Sequence, residues 1–249
     1  IASILKQAEA AGVESAWIVD HIAIPPDEAE GSGGRYLDPL TSLAWMAGQT
    51  QSILIGTSVL ILPYRPKLPT AKAIATIQEL SGERLLLGVG IGWMDPEFQA
   101  LGVDRHQRGR LSDETLAFLH ECFDNDIVTA NDQRFLFKPR PARPPIYIGG
   151  SAPHAIDRAL KYGDGWLPMG HLDKIAPQIR QYRERSEASQ GKPGEVVTFA
   201  TLPEGDVDRA REMISRYSAA GVTRIIIGRT YESAKDWAPT FELLSALNS

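Results

Sequence analysis

The chain has 249 residues, 43% apolar and 23% charged, which is enough apolar material for a large core and too much for a disordered chain. Its 31 acidic against 26 basic residues give a formal charge of -5, which excludes a general pull toward nucleic acid or an anionic membrane, and no apolar run reaches the roughly 20 residues of a bilayer span. The single cysteine, Cys122, excludes an internal disulfide and fits a reducing, cytoplasmic setting.

In chain order, residues 1–10 read as a helix closed by Gly12. Short Val- and Ile-rich runs then alternate with stretches of helical periodicity, the pattern of repeated βα units around a parallel sheet. Seven strands are predicted, at 16–20, 53–62, 85–91, 146–148, 165–168, 196–201 and 224–227. Helix starts are marked by Asp38-Pro39, by Ser151 with Pro153, and by Asp173 and Asp206, whereas Gly12, Gly82, Gly163 and Gly221 follow helix ends, where glycine can adopt the left-handed conformation that ends a helix. Because the chain opens in a helix, an eight-stranded barrel would have its first strand upstream of Ile1. Residues 94–144 are too long for a simple connection and read as an insertion over the barrel mouth, with a helix near 111–123 and a hairpin turning at Asn131-Asp132. One domain, 1–249, is expected.

In such barrels chemistry sits where strands end. Four of those places are unusual. In WIVDHIAIP (17–25) a strand runs into Asp20 and His21, and a histidine there can exchange a proton near neutrality or simply hold a loop. In ILIGTSVLILPYRP (53–66) Gly56, Thr57 and Ser58 interrupt an aliphatic strand, which suits a flat ligand's approach or a bulge. In LLLGVGIGW (85–93) Gly88, Gly90 and Gly92 share one face, without the spacing of a dinucleotide fingerprint. In PIYIGGSAPHAIDRAL (145–160) a Gly-Gly turn precedes a helix starting near Ser151, whose free amides would suit an anion. A metal site is not expected, because Asp20 and His21 are adjacent and diverge, and His106, His120, His154 and His171 lack ligand spacing.

Taken in order, Asp20-His21 with Pro25, the 56–65 stretch, Leu80-Ser81-Gly82 with Arg84 and the glycine strand, IYIGGS at 146–151 and YGDGW at 162–166 resemble the bacterial luciferase-like superfamily. The likeness covers nearly the whole chain and is strongest to the branch that uses the deazaflavin coenzyme F420. It implies an α/β fold of (β/α)8 TIM-barrel type and an oxidoreductase moving a hydride between F420 and a small organic substrate. An FMN-dependent monooxygenase is the alternative, followed by a non-catalytic flavin-binding barrel. It further implies a ring backed by Thr57, Ser58 and Val59, with a cis Ser58–Val59 peptide, and flanked by Gly90, Ile91 and Gly92. The phosphate would meet Gly149, Gly150 and Ser151, and His21 would be the active-site histidine with Asp20 close to the ring. Trp93 stands where some F420 sugar-phosphate dehydrogenases carry a glutamate, which argues against sugar-phosphate chemistry. Arg65, Arg108 and Arg110 are candidates for an acidic cofactor tail, and a homodimer is left open as the assembly.

Overall fold

The computed structural model describes residues 1–29 and 32–247. Its elements are α1 (Ala2–Ala10), β1 (Ser15–Ile18), α2 (Pro39–Gln49), β2 (Leu54–Ile61), α3 (Lys67–Leu80), β3 (Leu85–Gly90), α4 (Asp95–Leu101), α5 (Arg108–Asp124), β4 (Ile127–Ala130), β5 (Gln133–Leu136), β6 (Ile146–Gly149), α6 (His154–Tyr162), β7 (Gly165–Leu167), α7 (Leu172–Gln190), β8 (Glu195–Ala200), α8 (Val207–Ala219), β9 (Arg224–Ile227) and α9 (Ala238–Leu247). Seven strands follow one another in one sheet as β1-β2-β3-β6-β7-β8-β9, and β4 pairs with β5 alone. The pairs β2–β3, β6–β7, β7–β8 and β8–β9 are parallel. These are the seven strands read from the sequence.

The chain divides into two compact units. The first comprises Trp17–Gly48 and Ile55–Ile146. In it β3 is buried along its whole length, as expected of a parallel strand covered on both faces. The β2–β3 register passes from Thr57 opposite Leu87 to Leu60 opposite Val89, so β2 bulges at Ser58 and Val59. The Ser58–Val59 peptide is cis, where the family likeness implied it. The expected helix near 111–123 is α5, and the hairpin turns at Asn131 and Asp132, both with positive φ as a tight type I′ turn requires.

The second unit comprises Ile1–Ala16, Gln49–Leu54 and Tyr147–Ser249. Ala8 of α1, Ile53 and Phe241 of α9 form one buried cluster, and Leu202, Ala210 and Leu243 another. Asp206 caps α8 by accepting the Arg209 amide at 2.9 Å. Three local expectations need correction. Helix α6 starts at His154 rather than near Ser151, with Pro153 at its cap position. Asp173 lies inside the first turn of α7, whose cap position is His171. Gly163 ends α6 in extended backbone rather than the left-handed region; it is small because a Cβ would lie 3.0 Å from Ile148 Cγ1.

Candidate active site

Where β1 ends, the chain sends two adjacent polar side chains in different directions. Asp20 turns inward and is 4% exposed. Its Oδ2 accepts the Ile61 amide at 2.8 Å and Arg65 Nη1 at 2.6 Å, while Oδ1 accepts Arg65 Nη2 at 2.9 Å. The same Nη2 reaches Asp38 Oδ2 at 2.8 Å, just before α2. A bidentate guanidinium thus ties the end of β1 to the end of β2 and the start of α2. Opposing charges on both sides outweigh burial and raise the Arg65 pKa, so its charge is already used within the protein. Of the other candidate tail contacts, Arg110 pairs with Glu114 on α5 and Arg108 donates to the Arg105 carbonyl.

His21 turns to Glu97 of α4, with Nδ1 3.1 Å from Oε2, and its side chain stays 21% exposed. The Tyr36 ring lies 4.7 Å from the imidazole at 55°, and the Trp93 ring 6.4 Å away at 84°. Glu97 is 1% exposed. Its Oε1 accepts the backbone amides of Ile22 at 2.6 Å and Ala23 at 3.0 Å, and its Oε2 also accepts the Tyr64 hydroxyl at 2.8 Å. Burial opposes the charge, yet the Ala23 and Ile22 amides, Tyr64 and His21 together outweigh it and hold the Glu97 carboxyl below the usual range. For Tyr64, burial first and the Glu97 carboxylate second push the pKa up, so the phenol keeps its proton. Phe98 meets the Tyr64 ring edge-on at 5.1 Å and completes a buried cluster with Ile61.

Glu97 is the functional candidate that sequence reasoning missed, whereas Tyr64 reads from the sequence only as an aromatic that could line a pocket or pack in the core. A signal existed: Asp95-Pro96 opens a helix directly after the glycine strand, and Glu97 sits in its first turn, where the helix dipole favours an anion. Reading residues 94–144 as one insertion hid it.

The expected ring-binding residues come together within the same unit. The Thr57 hydroxyl is fully buried and donates to the Gly88 carbonyl at 2.6 Å. Ser58, Val59, Ile91 and Gly92 are half-buried. The glycine face of β3 is filled by the protein itself: a Cβ on Gly90 would lie 2.5 Å from Val59 Cγ2, and one on Gly92 2.9 Å from Ile61 Cγ2. The alternation therefore lets the β2 bulge pack tightly on the end of β3. In the other unit Gly149 is half-buried and Gly150 and Ser151 are exposed ahead of α6, with the Gly150 carbonyl accepting Trp166 Nε1 at 3.0 Å. That unit also holds a cleft of about 660 Å³ lined by Gly170, His171, Phe199, Thr201, Met213 and Gly228, after the ends of β7, β8 and β9. Among the described residues no cluster of His, Cys, Asp or Glu is placed to hold a metal ion, and no helix is long and apolar enough to cross a membrane.

The model of one family, luciferase-like monooxygenase, matches residues 1–246. The chain belongs to the luciferase-like monooxygenase family. Relatives within reach of sequence comparison include an uncharacterised protein of Mycobacterium tuberculosis, 29% identical over 245 residues, 90% of this chain and 82% of that one. An F420-dependent glucose-6-phosphate dehydrogenase of Amycolatopsis mediterranei is 28% identical over 83% of this chain and 66% of its own. An FMNH2-dependent dimethylsulfone monooxygenase of Pseudomonas fluorescens is 28% identical over 70% of this chain and 54% of its own. Among solved structures, an F420-dependent secondary alcohol dehydrogenase superposes with a TM-score of 0.78 at 14% identity, over 100% of this chain and 94% of that one. The luciferase-like fold is thereby the α/β barrel expected from the sequence, and the family is one of oxidoreductases and monooxygenases with both F420- and FMN-dependent members.

Proposed function

We propose that this luciferase-like chain is an oxidoreductase that moves a hydride between coenzyme F420 and a small organic substrate, with residues 94–144 as an insertion in one barrel domain. The observation that carries the reading is His21: a partly exposed imidazole at a strand end, held by a buried carboxylate and flanked by Tyr36 and Trp93. Coenzyme F420 supplies the hydride chemistry when bound. The β2 bulge at Thr57, Ser58 and Val59, seated against Gly90 and flanked by Ile91 and Gly92, would back its ring. Gly149, Gly150 and Ser151, exposed ahead of the α6 amides, suit its phosphate as a donor set. His21 moves a proton to or from the substrate oxygen. Asp20 serves the site through Arg65 and the Ile61 amide, since both its oxygens are engaged there.

The F420-dependent relative supports the cofactor, but its sugar phosphate does not transfer easily to this chain. Trp93 replaces the expected glutamate, and the ion pairs made by His21 and Arg65 bring in three carboxylates, Asp20, Asp38 and Glu97, against one guanidinium. That balance favours an uncharged alcohol or carbonyl compound over a phosphorylated one. The FMN-dependent relative favours a second reading, a monooxygenase acting with oxygen. Side-by-side titration of oxidised F420 and FMN, followed by ring fluorescence at fixed ionic strength, tests the choice. At least tenfold tighter F420 binding is expected, which needs only about 1.4 kcal/mol. Tighter FMN binding with oxygen-dependent turnover of reduced FMN would replace this reading by the monooxygenase, and binding of neither would leave a non-catalytic barrel.

A further inference from the structure

The carboxylate behind His21 has no acceptor capacity to spare. An ionised carboxylate only accepts, and its two oxygens offer about four lone-pair sites. In Glu97 these sites face four groups: the Ile22 and Ala23 amides on Oε1, and the Tyr64 hydroxyl and His21 Nδ1 on Oε2. The two amides can only donate, and Tyr64 retains its proton. A hydrogen on Nδ1 is the arrangement that completes the set, and the neutral imidazole then carries its lone pair on Nε2. Nε2 has no partner among the described residues, although the ring is only 21% exposed. Turning the ring over would swing Nδ1 off Glu97 and bring a C–H edge to a carboxylate oxygen.

From this geometry we infer that Glu97 is the positioning residue of the site, fixing neutral His21 as the Nδ1–H tautomer so that Nε2 begins as a proton acceptor. The inference rests on His21 being the proton-transfer group proposed above. Glu97 touches neither substrate nor cofactor on this reading and acts through the imidazole alone. It does for His21 what an orienting carboxylate does for any histidine whose second nitrogen must face the reaction.

The test is nitrogen NMR of the full chain carrying 15N-labelled histidine, without cofactor, with the His21 signals assigned by their loss in His21→Asn. In the neutral ring, Nδ1 is expected to have the pyrrole-type and Nε2 the pyridine-type signature. In Glu97→Gln the amide carbonyl keeps the two backbone amides, so the NH2 group takes the Oε2 position and donates to Nδ1. The tautomer should therefore invert to Nε2–H, and turnover should fall about 10- to 100-fold with KM nearly unchanged. Tyr64→Phe leaves the His21 bond in place and should keep the wild-type signature. An Nε2–H wild type, an unchanged signature in folded Glu97→Gln, or a switch in Tyr64→Phe would each overturn the inference. Should Glu97→Gln not fold, the wild-type and Tyr64→Phe spectra still decide. Because the spectra need no cofactor, absence of F420 binding would count against the functional proposal and leave this result standing.

Discussion

Two polar networks of similar composition serve different ends of the strands. Asp20, His21, Tyr64, Arg65 and Glu97 gather where β1, β2 and β3 give way to their following segments. In the other unit Glu14, Tyr147, Glu195 and Arg224 gather where strands begin. Arg224 Nε and Nη2 bond the two oxygens of Glu14 at 2.7 and 2.8 Å, and Nη1 reaches the Tyr147 hydroxyl at 2.9 Å. That hydroxyl donates to Glu195 at 2.8 Å. Hydrogen bonds from Arg224 lower the Glu14 pKa, and those to Glu14 raise that of Arg224, so this network is a closed set of satisfied charges. The His21 network is equally well bonded except at Nε2. One open valence on a titratable ring separates the network proposed to do chemistry from the one that fastens strands.

The largest effect that sharpens this contrast is His21→Asn. Turnover should fall by about 10² to 10⁴, the usual worth of a general acid or base, with cofactor affinity little changed. Steady-state kinetics beside a binding titration read both numbers. Unchanged kinetics would return His21 to a loop-holding role and dissolve the contrast.

Arg224→Met probes the other side. The guanidinium is 14% exposed, and its loss leaves the Tyr147 hydroxyl and two carboxylates to be resolvated, Glu14 at 57% and Glu195 at 50% exposure. Because those carboxylates reach water, the cost should stay near 1 to 3 kcal/mol. Urea unfolding should show the lower midpoint while kcat and KM hold their wild-type values. A kinetic defect in a stably folded variant would mean the strand-start network also tunes the reaction.

The fold was legible because its cues are local. Aliphatic runs such as LLLGVG, the Asp-Pro and Gly boundaries of helices and the Asn131-Asp132 turn each decide a backbone conformation within a few residues. Where those cues misled, α6 is capped at Pro153 rather than near Ser151, and Gly163 is required by a close approach to Ile148 that spacing does not show. For the site, Asp20 and His21 were legible as polar residues ending an apolar strand. What they bond was not, because Glu97 lies 76 residues from His21 and Arg65 lies 45 from Asp20. The glycine strand likewise reads as room for a ligand, and only the fold shows Val59 and Ile61 filling that room.

Tyr64→Phe should fall between the two variants above. It removes one of four donors from Glu97 yet keeps the ring packed on Phe98. A loss near 1 kcal/mol in stability and less than about tenfold in turnover is expected. A loss as large as that of His21→Asn would draw Tyr64 into the chemistry itself.

The smallest effect concerns Glu9 of α1, a carboxylate that pins the segment before β2. Its Oε1 accepts the amides of Gln51, Ser52 and Ile53 at 2.8, 2.6 and 3.0 Å. The Ser52 and Ile53 amides lead in lowering its pKa from 4.5 to about 2. A depressed folded pKa means that the folded state binds the proton less readily than the unfolded chain. The stabilisation is therefore complete above the unfolded value of 4.5 and is lost as pH falls toward about 2. Glu9→Gln should be less stable than wild type at neutral pH, and the two should converge across that acid window. Solvent screening around this site keeps the gap modest. Glu97→Gln should also lose part of the acid slope, because the Glu97 carboxyl is held below its usual range, but it alone should change turnover. Urea midpoints measured from pH 7 down to the acid transition, beside kinetics at pH 7, separate the two carboxylates. If the Glu9→Gln curve ran parallel to wild type throughout, the amide cluster would not be holding the charge. If Glu9→Gln slowed turnover while stably folded, the division between fastening and reacting networks would not extend to α1.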